Sequence, residues 1–84
     1  MTKIEIYTKQ ACPYCVRAKQ LLDKKSAQYT EIKVDENPKD LEMMLLRAEG
    51  RRTVPQIFIN DRGIGGCDDM YALEQAHKLD ALLG

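Results

Sequence analysis

Two cysteines three positions apart are the most reactive groups in this sequence of 84 residues. They lie in the segment Cys12-Pro13-Tyr14-Cys15, between a segment of alternating apolar residues and a helical pattern. A thiol at a helix N-terminus faces unpaired backbone N–H groups, which favour the thiolate and lower its pKa. Cys12 is therefore predicted to be a nucleophile. Cys15 lies within disulfide reach on the apolar face of the helix and is predicted to be a buried resolving thiol.

The cysteines have two alternative roles, a structural disulfide and a zinc site. A structural disulfide of a secreted protein is disfavoured because the N-terminus alternates Lys3, Ile4 and Glu5 and has no signal-peptide core. Zinc is a second alternative, since the sequence supplies three cysteines and one histidine: Cys12, Cys15, Cys67 and His77. Structural zinc sites usually pair two close couples of ligands, and Cys67 and His77 are too far apart for that. His77 is interpreted as a solvated helix residue.

Thr53-Val54-Pro55 precedes an apolar strand, where proline is tolerated only at the first position or beside a bulge. One interpretation is a plain proline at the start of a strand. The other is a cis Pro55, which would present the backbone N–H and C=O of Val54 beside Cys12. An extended peptide could pair with Val54 there as an added strand does. The residues alone leave both interpretations open.

The segment Gly65-Gly66-Cys67-Asp68-Asp69 places two glycines before a helix. Such a start lets a ligand approach backbone amides closely and can bind an anion. Taken alone, the segment is better explained as the end of a hairpin followed by a helix that Asp68 caps.

The elements that must position these groups follow from side-chain periodicity. Alternation predicts strands around Ile4 and Ile6, over 29–34 and over 56–60, with a short fourth strand ending at Gly65-Gly66. Helices are predicted from Pro13, from Asn37-Pro38 as far as Gly50, and from Asp68, with a final turn through Leu79. The order β-α-β-α-β-β-α indicates an α/β fold in which a four-stranded mixed sheet carries helices on both faces.

Composition excludes several functions. Thirteen Lys and Arg balance thirteen Asp and Glu, so the chain lacks the basic excess of a nucleic-acid-binding module. The longest apolar run, 43–46, is too short to span a membrane. The length suits a single domain over 1–84. Three cysteines are too few for a disulfide-stapled protein, so a soluble protein of the reducing cytoplasm is expected.

Three segments together resemble the glutaredoxin family, in particular the small bacterial dithiol glutaredoxins, over essentially the whole chain. They are 7–15 with the Cys-Pro-Tyr-Cys motif, 53–59 beginning Thr-Val-Pro, and 65–69 with Gly-Gly-Cys-Asp-Asp. The resemblance implies a thioredoxin-like fold, a cis Pro55 and a glutathione site. Its implied binding residues are Lys9, Tyr14, Arg52, Thr53, Val54, Pro55, Gly66, Cys67 and Asp68. Arg47 is an alternative to Arg52, and Glu42 stands where some relatives carry a glutamine.

The resemblance also implies an activity. Cys12 and Cys15 would reduce glutathionylated and disulfide-bonded proteins with glutathione as co-substrate, no metal and a monomeric chain, and ribonucleotide reductase is one acceptor. Two rivals are a glutaredoxin-like protein reduced by thioredoxin reductase and a carrier of an iron–sulfur cluster ligated by Cys12 and glutathione. Relatives specialised as carriers have Gly-Phe-Ser after the first cysteine, whereas this chain has Pro13.

Overall fold

The computed structural model describes residues 2–84. Four strands form one sheet: β1 (Ile4–Thr8), β2 (Thr30–Lys33), β3 (Gln56–Ile59) and β4 (Arg62–Gly65). The helices are α1 (Pro13–Lys24), α2 (Pro38–Arg47), α3 (Cys67–Gln75) and α4 (Leu79–Leu83). The strand order is β2-β1-β3-β4, with β1 and β2 parallel and the β1–β3 and β3–β4 pairs antiparallel. The predicted mixed sheet is confirmed, and the predicted element order is confirmed as far as α3, while the final turn predicted through Leu79 is the short helix α4.

Helices cover both faces of the sheet. On one face α1, α3 and α4 pack on the isoleucines of β1 and β3; this core comprises Ile4, Ile6, Ala18, Leu21, Leu22, Ile57, Ile59, Cys67, Met70 and Leu79. On the other face, Met44 of α2 and its C-cap Ala48 pack against Tyr7 and Phe58. Tyr7 and Phe58 meet edge to face with ring centroids 5.7 Å apart. Because both faces are covered, the central strands are buried on both sides.

Local signals fix the first two helices. Cys12 is the N-cap of α1 and Pro13 its first residue, a position where proline loses no hydrogen bond. Asn37 caps α2, its side-chain oxygen accepting a hydrogen bond from the N–H of Lys39 at 3.0 Å. Gly50, three residues beyond the end of α2, has φ +89°, a conformation that favours glycine. The predicted starts of both helices are therefore confirmed.

A two-residue turn joins β3 to β4. Asn60 and Asp61 have φ of 51° and 66°, as a type I′ hairpin turn requires. The turn carries the chain back along β3 to Gly65, so that α3 starts beside the start of β3. No helix within residues 2–84 has the length and apolar character needed to cross a membrane.

Candidate active site

Cys12 and Cys15 form a disulfide, with their Cα atoms 5.2 Å apart. The backbone N–H of Cys15 donates to Sγ of Cys12 at 3.1 Å, so this sulfur lies at the N-terminus of α1. Cys15 is 2% exposed and Cys12 7%. The helix start thus aims backbone amides at Cys12 and buries Cys15 on the face that carries Ala18 and Leu22, as the sequence predicted.

The segment before β3 lies against the first cysteine. The Val54-Pro55 peptide bond is cis, and the carbonyl oxygen of Val54 lies 3.9 Å from Sγ of Cys12. The buried side-chain amide of Gln56 donates to the carbonyl oxygen and to the hydroxyl oxygen of Thr53, at 3.0 and 3.1 Å. Gln56 therefore holds the segment in place, a role that sequence reasoning missed although a glutamine in an apolar strand could have indicated it.

The start of α3 forms the other side of the site. Gly66 is the N-cap, and its backbone N–H donates to Oδ2 of Asp69 at 2.9 Å. The interpretation that Asp68 caps this helix is therefore wrong, because a capping carboxylate at the third helical position reaches back to the N-cap and that position holds Asp69. Asp68 is exposed.

Gly66 also lies against the cis proline. A Cβ atom at Gly66 would stand 3.2 Å from the carbonyl oxygen of Pro55, which is tighter than ordinary contact. The absence of a side chain therefore lets the start of α3 approach the segment that carries Val54. These two segments form the opposite walls of one cleft.

This cleft has a volume of about 240 Å³, and we call it the front cleft. It is lined by most of the residues that the resemblance implied, Tyr14, Thr53, Val54, Pro55, Gly66, Cys67 and Asp68, together with Arg51 and Asp69. Lys9 and Arg52 do not line it: Lys9 lines a second cleft, which Cys12 also borders, and Arg52 is exposed. The binding roles of all these residues stay predictions.

The cation of the front cleft is Arg51, which the sequence analysis did not consider. A guanidinium nitrogen of Arg51 lies 3.8 Å from Oδ2 of Asp69, with both side chains 53% exposed. The adjacent arginines 51 and 52 are indistinguishable by type, and only the path of the chain into β3 decides which of them faces the cleft. Glu42 lies exposed on α2 and does not line the front cleft.

Arg47, the predicted alternative to Arg52, binds to residues of β1. It donates to the carboxylate of Glu5 at 2.9 Å and to the hydroxyl of Tyr7 at 3.0 Å, and its guanidinium lies 4.1 Å from the ring centroid of Phe58. The hydrogen bond to Glu5 is the main cause that raises the pKa of Arg47. Arg47 therefore ties α2 to the sheet and does not line the front cleft.

Cys67 is a buried free thiol at the first position of α3. Burial raises its pKa, and the negative charge of Asp68 raises it further, while Arg17 opposes both. A neutral thiol is therefore expected there. Within residues 2–84, Cys12, Cys15, Cys67 and the exposed His77 do not gather into a group that could hold a metal ion. The geometry thus gives no support to the zinc alternative.

The chain is similar to known proteins along nearly its whole length. The glutaredoxin family profile matches residues 4–64. Glutaredoxin 3 of Escherichia coli K12 is 53% identical over 83 residues, covering 99% of both chains. A probable glutaredoxin of Synechocystis is 56% identical over 81 residues, which are 96% of this chain and 74% of the relative.

Solved structures agree with the sequence comparison. The solution structure of a Brucella melitensis glutaredoxin is 51% identical with a TM-score of 0.85, covering 99% of this chain and 89% of that one. A buckwheat glutaredoxin–glutathione complex is 34% identical with a TM-score of 0.87, covering 98% and 76%. With the dithiol at the start of α1, the cis proline beside it and these similarities, the chain belongs to the glutaredoxin family and is a thiol–disulfide oxidoreductase of thioredoxin-like fold.

Proposed function

We propose that the protein reduces mixed disulfides between proteins and glutathione, and protein disulfides, with glutathione as its co-substrate. The observation that carries this proposal is the front cleft, which joins the backbone of Val54 to an exposed carboxylate, Asp68, at a helix start. Glutathione is a peptide with one thiol, one ammonium group and two carboxylates. The ammonium group and one carboxylate find complementary partners in the front cleft, and the thiol finds Cys12 beside it.

The groups are assigned by their chemistry. The N–H and C=O of Val54 pair with the cysteinyl residue of glutathione as an added strand does, which brings its sulfur to Sγ of Cys12. Asp68 accepts a hydrogen bond from the γ-glutamyl ammonium. The N–H groups of Cys67 and Asp68 in the first turn of α3 have no intrahelical acceptor and bind the γ-glutamyl carboxylate.

The other predicted residues act at the edges. Thr53 and Pro55 fix the backbone of Val54. Tyr14 lies beside the nucleophilic Cys12, and Gly66, which has no side chain, leaves room for glutathione. Arg51 adds positive potential within the front cleft. Lys9, three positions before Cys12, and Arg52, next to Thr53, are exposed cations, and they are the candidates for the glycine carboxylate.

The reaction is thiol–disulfide exchange. The Cys12 thiolate attacks the glutathione sulfur of a mixed disulfide, the S–S bond to the protein breaks, and the protein thiolate leaves and takes a proton. A second glutathione thiolate then attacks the glutathione sulfur on Cys12, which frees Cys12 and produces glutathione disulfide. For protein disulfides, Cys12 attacks one substrate sulfur and forms a mixed disulfide, and the other substrate sulfur leaves as a thiolate. Cys15 then attacks the sulfur of Cys12, the bond to the substrate breaks and the second substrate thiolate leaves, so that the Cys12–Cys15 disulfide remains for glutathione to reduce.

The cellular setting is part of this proposal. Glutathione would be kept reduced by glutathione reductase and NADPH, in the reducing cytoplasm, with a monomeric chain acting on glutathionylated or disulfide-bonded proteins. Ribonucleotide reductase is an acceptor whose turnover requires dithiol reduction. Resident metal and nucleic acid have no part in this scheme.

The deciding experiment is reduction of a small mixed disulfide of glutathione, coupled either to glutathione reductase or to thioredoxin reductase. The proposal expects turnover only with glutathione and glutathione reductase. Turnover with thioredoxin reductase alone would instead support the glutathione-independent alternative. Visible absorbance of protein purified without air would support the iron–sulfur carrier.

A further inference from the structure

A second cleft of about 660 Å³ opens beside the dithiol and shares no lining residue with the front cleft. We call it the rear cleft; both Cys12 and Cys15 line it, together with Lys9, Lys19, Glu31 and Lys33. Neither Val54 nor Asp68 borders it. Of the proposed glutathione-binding residues, Lys9 alone borders the rear cleft, so the contacts proposed in the front cleft leave the rest of it free, although the resolving thiol lines it.

A fixed ion pair lies in the rear cleft. The ammonium of Lys19 donates to Oε2 of Glu31 at 2.9 Å, with the side chains 29% and 25% exposed. The same oxygen accepts a hydrogen bond from the hydroxyl of the buried Thr8 at 2.7 Å. These hydrogen bonds, from Lys19 first and Thr8 second, hold the pKa of Glu31 below its ordinary value. The carboxylate is thus ionised, and it keeps the ammonium in one place.

Lys19 lies one helical turn after Cys15. Residues four apart on a helix share a face, with Cβ atoms about 5–6 Å apart, and helical side chains lean toward the N-terminus. The stem of Lys19 therefore leans toward the turn that carries Cys15. The remaining charged groups of the rear cleft are Lys9 from the loop after β1, and Lys33 and Glu36 from the end of β2, which pair with each other at 4.0 Å.

The chemistry of Cys15 needs a cation. When glutathione thiolate attacks Cys12 in the Cys12–Cys15 disulfide, the S–S bond breaks and its electron pair goes to Sγ of Cys15. The leaving thiolate is only 2% exposed, so that water stabilises it poorly. When Cys15 attacks Cys12 in the opposite direction, the same buried sulfur must first lose its proton. Both steps pass through a buried thiolate.

We propose that Lys19, positioned by Glu31, stabilises the thiolate of the resolving Cys15 from the rear cleft. Lys19 is a positioning and charge-stabilising residue of the dithiol step, and it has no role in the attack of Cys12 on a glutathione sulfur. The proton that Cys15 gains or loses exchanges with solvent through the rear cleft. This inference rests on the proposed function for its physiological reductant.

The test measures the alkylation rate of Cys15 against pH in the Cys12→Ser background, reading the Cys15 peptide by mass spectrometry so that Cys67 does not contribute. Lys19→Met removes the charge and keeps the length of the side chain. We expect it to raise the pH midpoint of Cys15 alkylation by about one pH unit, while Lys19→Arg restores it. Lys24→Met is the matched control, an exposed lysine in the last turn of the same helix that does not line the rear cleft.

Kinetics provide the second readout. Lys19→Met should slow reduction of a protein disulfide about tenfold, the factor that matches the expected midpoint shift. In the Cys15→Ser background the same substitution should change turnover of a glutathione mixed disulfide less than about twofold. An unmoved Cys15 midpoint in a folded Lys19→Met variant, or equal losses in both assays, overturns the inference. Because alkylation needs no glutathione, failure of the proposed function is seen separately, as absent turnover of the unmodified protein.

Discussion

The carboxylate of Asp69 accepts a hydrogen bond from the backbone N–H of Gly66 at 2.9 Å and thereby caps the N-terminus of α3. The neighbouring Asp68 is exposed and lines the front cleft without taking part in the cap. We therefore propose separate tasks for the two adjacent aspartates, with Asp69 stabilising the helix and Asp68 recognising the ligand. This separation makes the glutathione site testable without disturbing the fold.

Asp68→Asn should raise the apparent KM for glutathione substrates about tenfold, because it removes a charge-assisted hydrogen bond worth ~1.5–3 kcal/mol. Its urea midpoint should stay within error of the unmodified protein. Asp69→Ala is the control, and it should lower the free energy of unfolding by about 1 kcal/mol through loss of the cap. An unchanged KM in Asp68→Asn would remove Asp68 from the binding site.

The two cysteines of the motif should separate by reaction. Cys12→Ser should abolish turnover of glutathione mixed disulfides, since it removes the attacking sulfur. Cys15→Ser should keep that activity and lose most reduction of protein disulfides, because no thiol remains to resolve the intermediate. Parallel assays with both substrates check this, and equal loss of mixed-disulfide turnover in both variants would contradict the assignment.

Cys12 and Cys67 should differ sharply in reactivity in the reduced protein. Cys12 faces helix-terminal amides and should alkylate with a midpoint well below ~8.5, whereas burial and Asp68 raise the pKa of Cys67. Iodoacetamide labelling at graded pH, followed peptide by peptide, measures both. Asp68→Asn should lower the pKa of Cys67 by removing a nearby negative charge, and faster labelling of Cys67 than Cys12 in the unmodified protein would be the contrary result.

Glu31 should make the free energy of unfolding depend on pH. Its pKa in the folded chain is held below the ordinary value of 4.5, so its contribution is present above that value and is lost as pH falls through the lower, folded pKa. Glu31→Gln should therefore cost about 0.5–1.5 kcal/mol of unfolding free energy at pH 7 and progressively less below pH 4.5. Urea melts across this pH range measure the difference in unfolding free energy between the variant and the unmodified protein, with Glu36→Gln, at an exposed residue, as the control. A difference that does not change with pH would contradict this role of Glu31.

Much of the architecture was predictable because local signals agreed with the tertiary structure. Pro13, Asn37-Pro38 and the turn at Asn60 each specify a helix start or a reversal by their own backbone preferences. The position of Cys12 was predictable for the same reason, since the start of α1 alone determines that Cys12 faces unpaired backbone N–H groups.

What sequence reasoning missed depends on contacts between distant segments. The choice of Arg51 over Arg52 depends on how the chain approaches β3, and the engagement of Arg47 depends on Glu5 and Tyr7, some forty positions away. Asp68 and Asp69 are chemically alike, and only the geometry around Gly66 decides which of them caps α3. The Lys19–Glu31 pair joins α1 to β2 and carries no local motif.

In the proposed reaction, Cys12 exchanges with glutathione held in the front cleft. The most direct measurement treats the Cys15→Ser variant with glutathione disulfide, locates the adduct by peptide mass mapping, and follows backbone amide NMR shifts. We expect one glutathione, attached to Cys12, with the largest shifts at Val54, Cys67 and Asp68. An adduct on Cys67 in place of Cys12, or shifts confined to the rear cleft around Lys19 and Glu31, would contradict it.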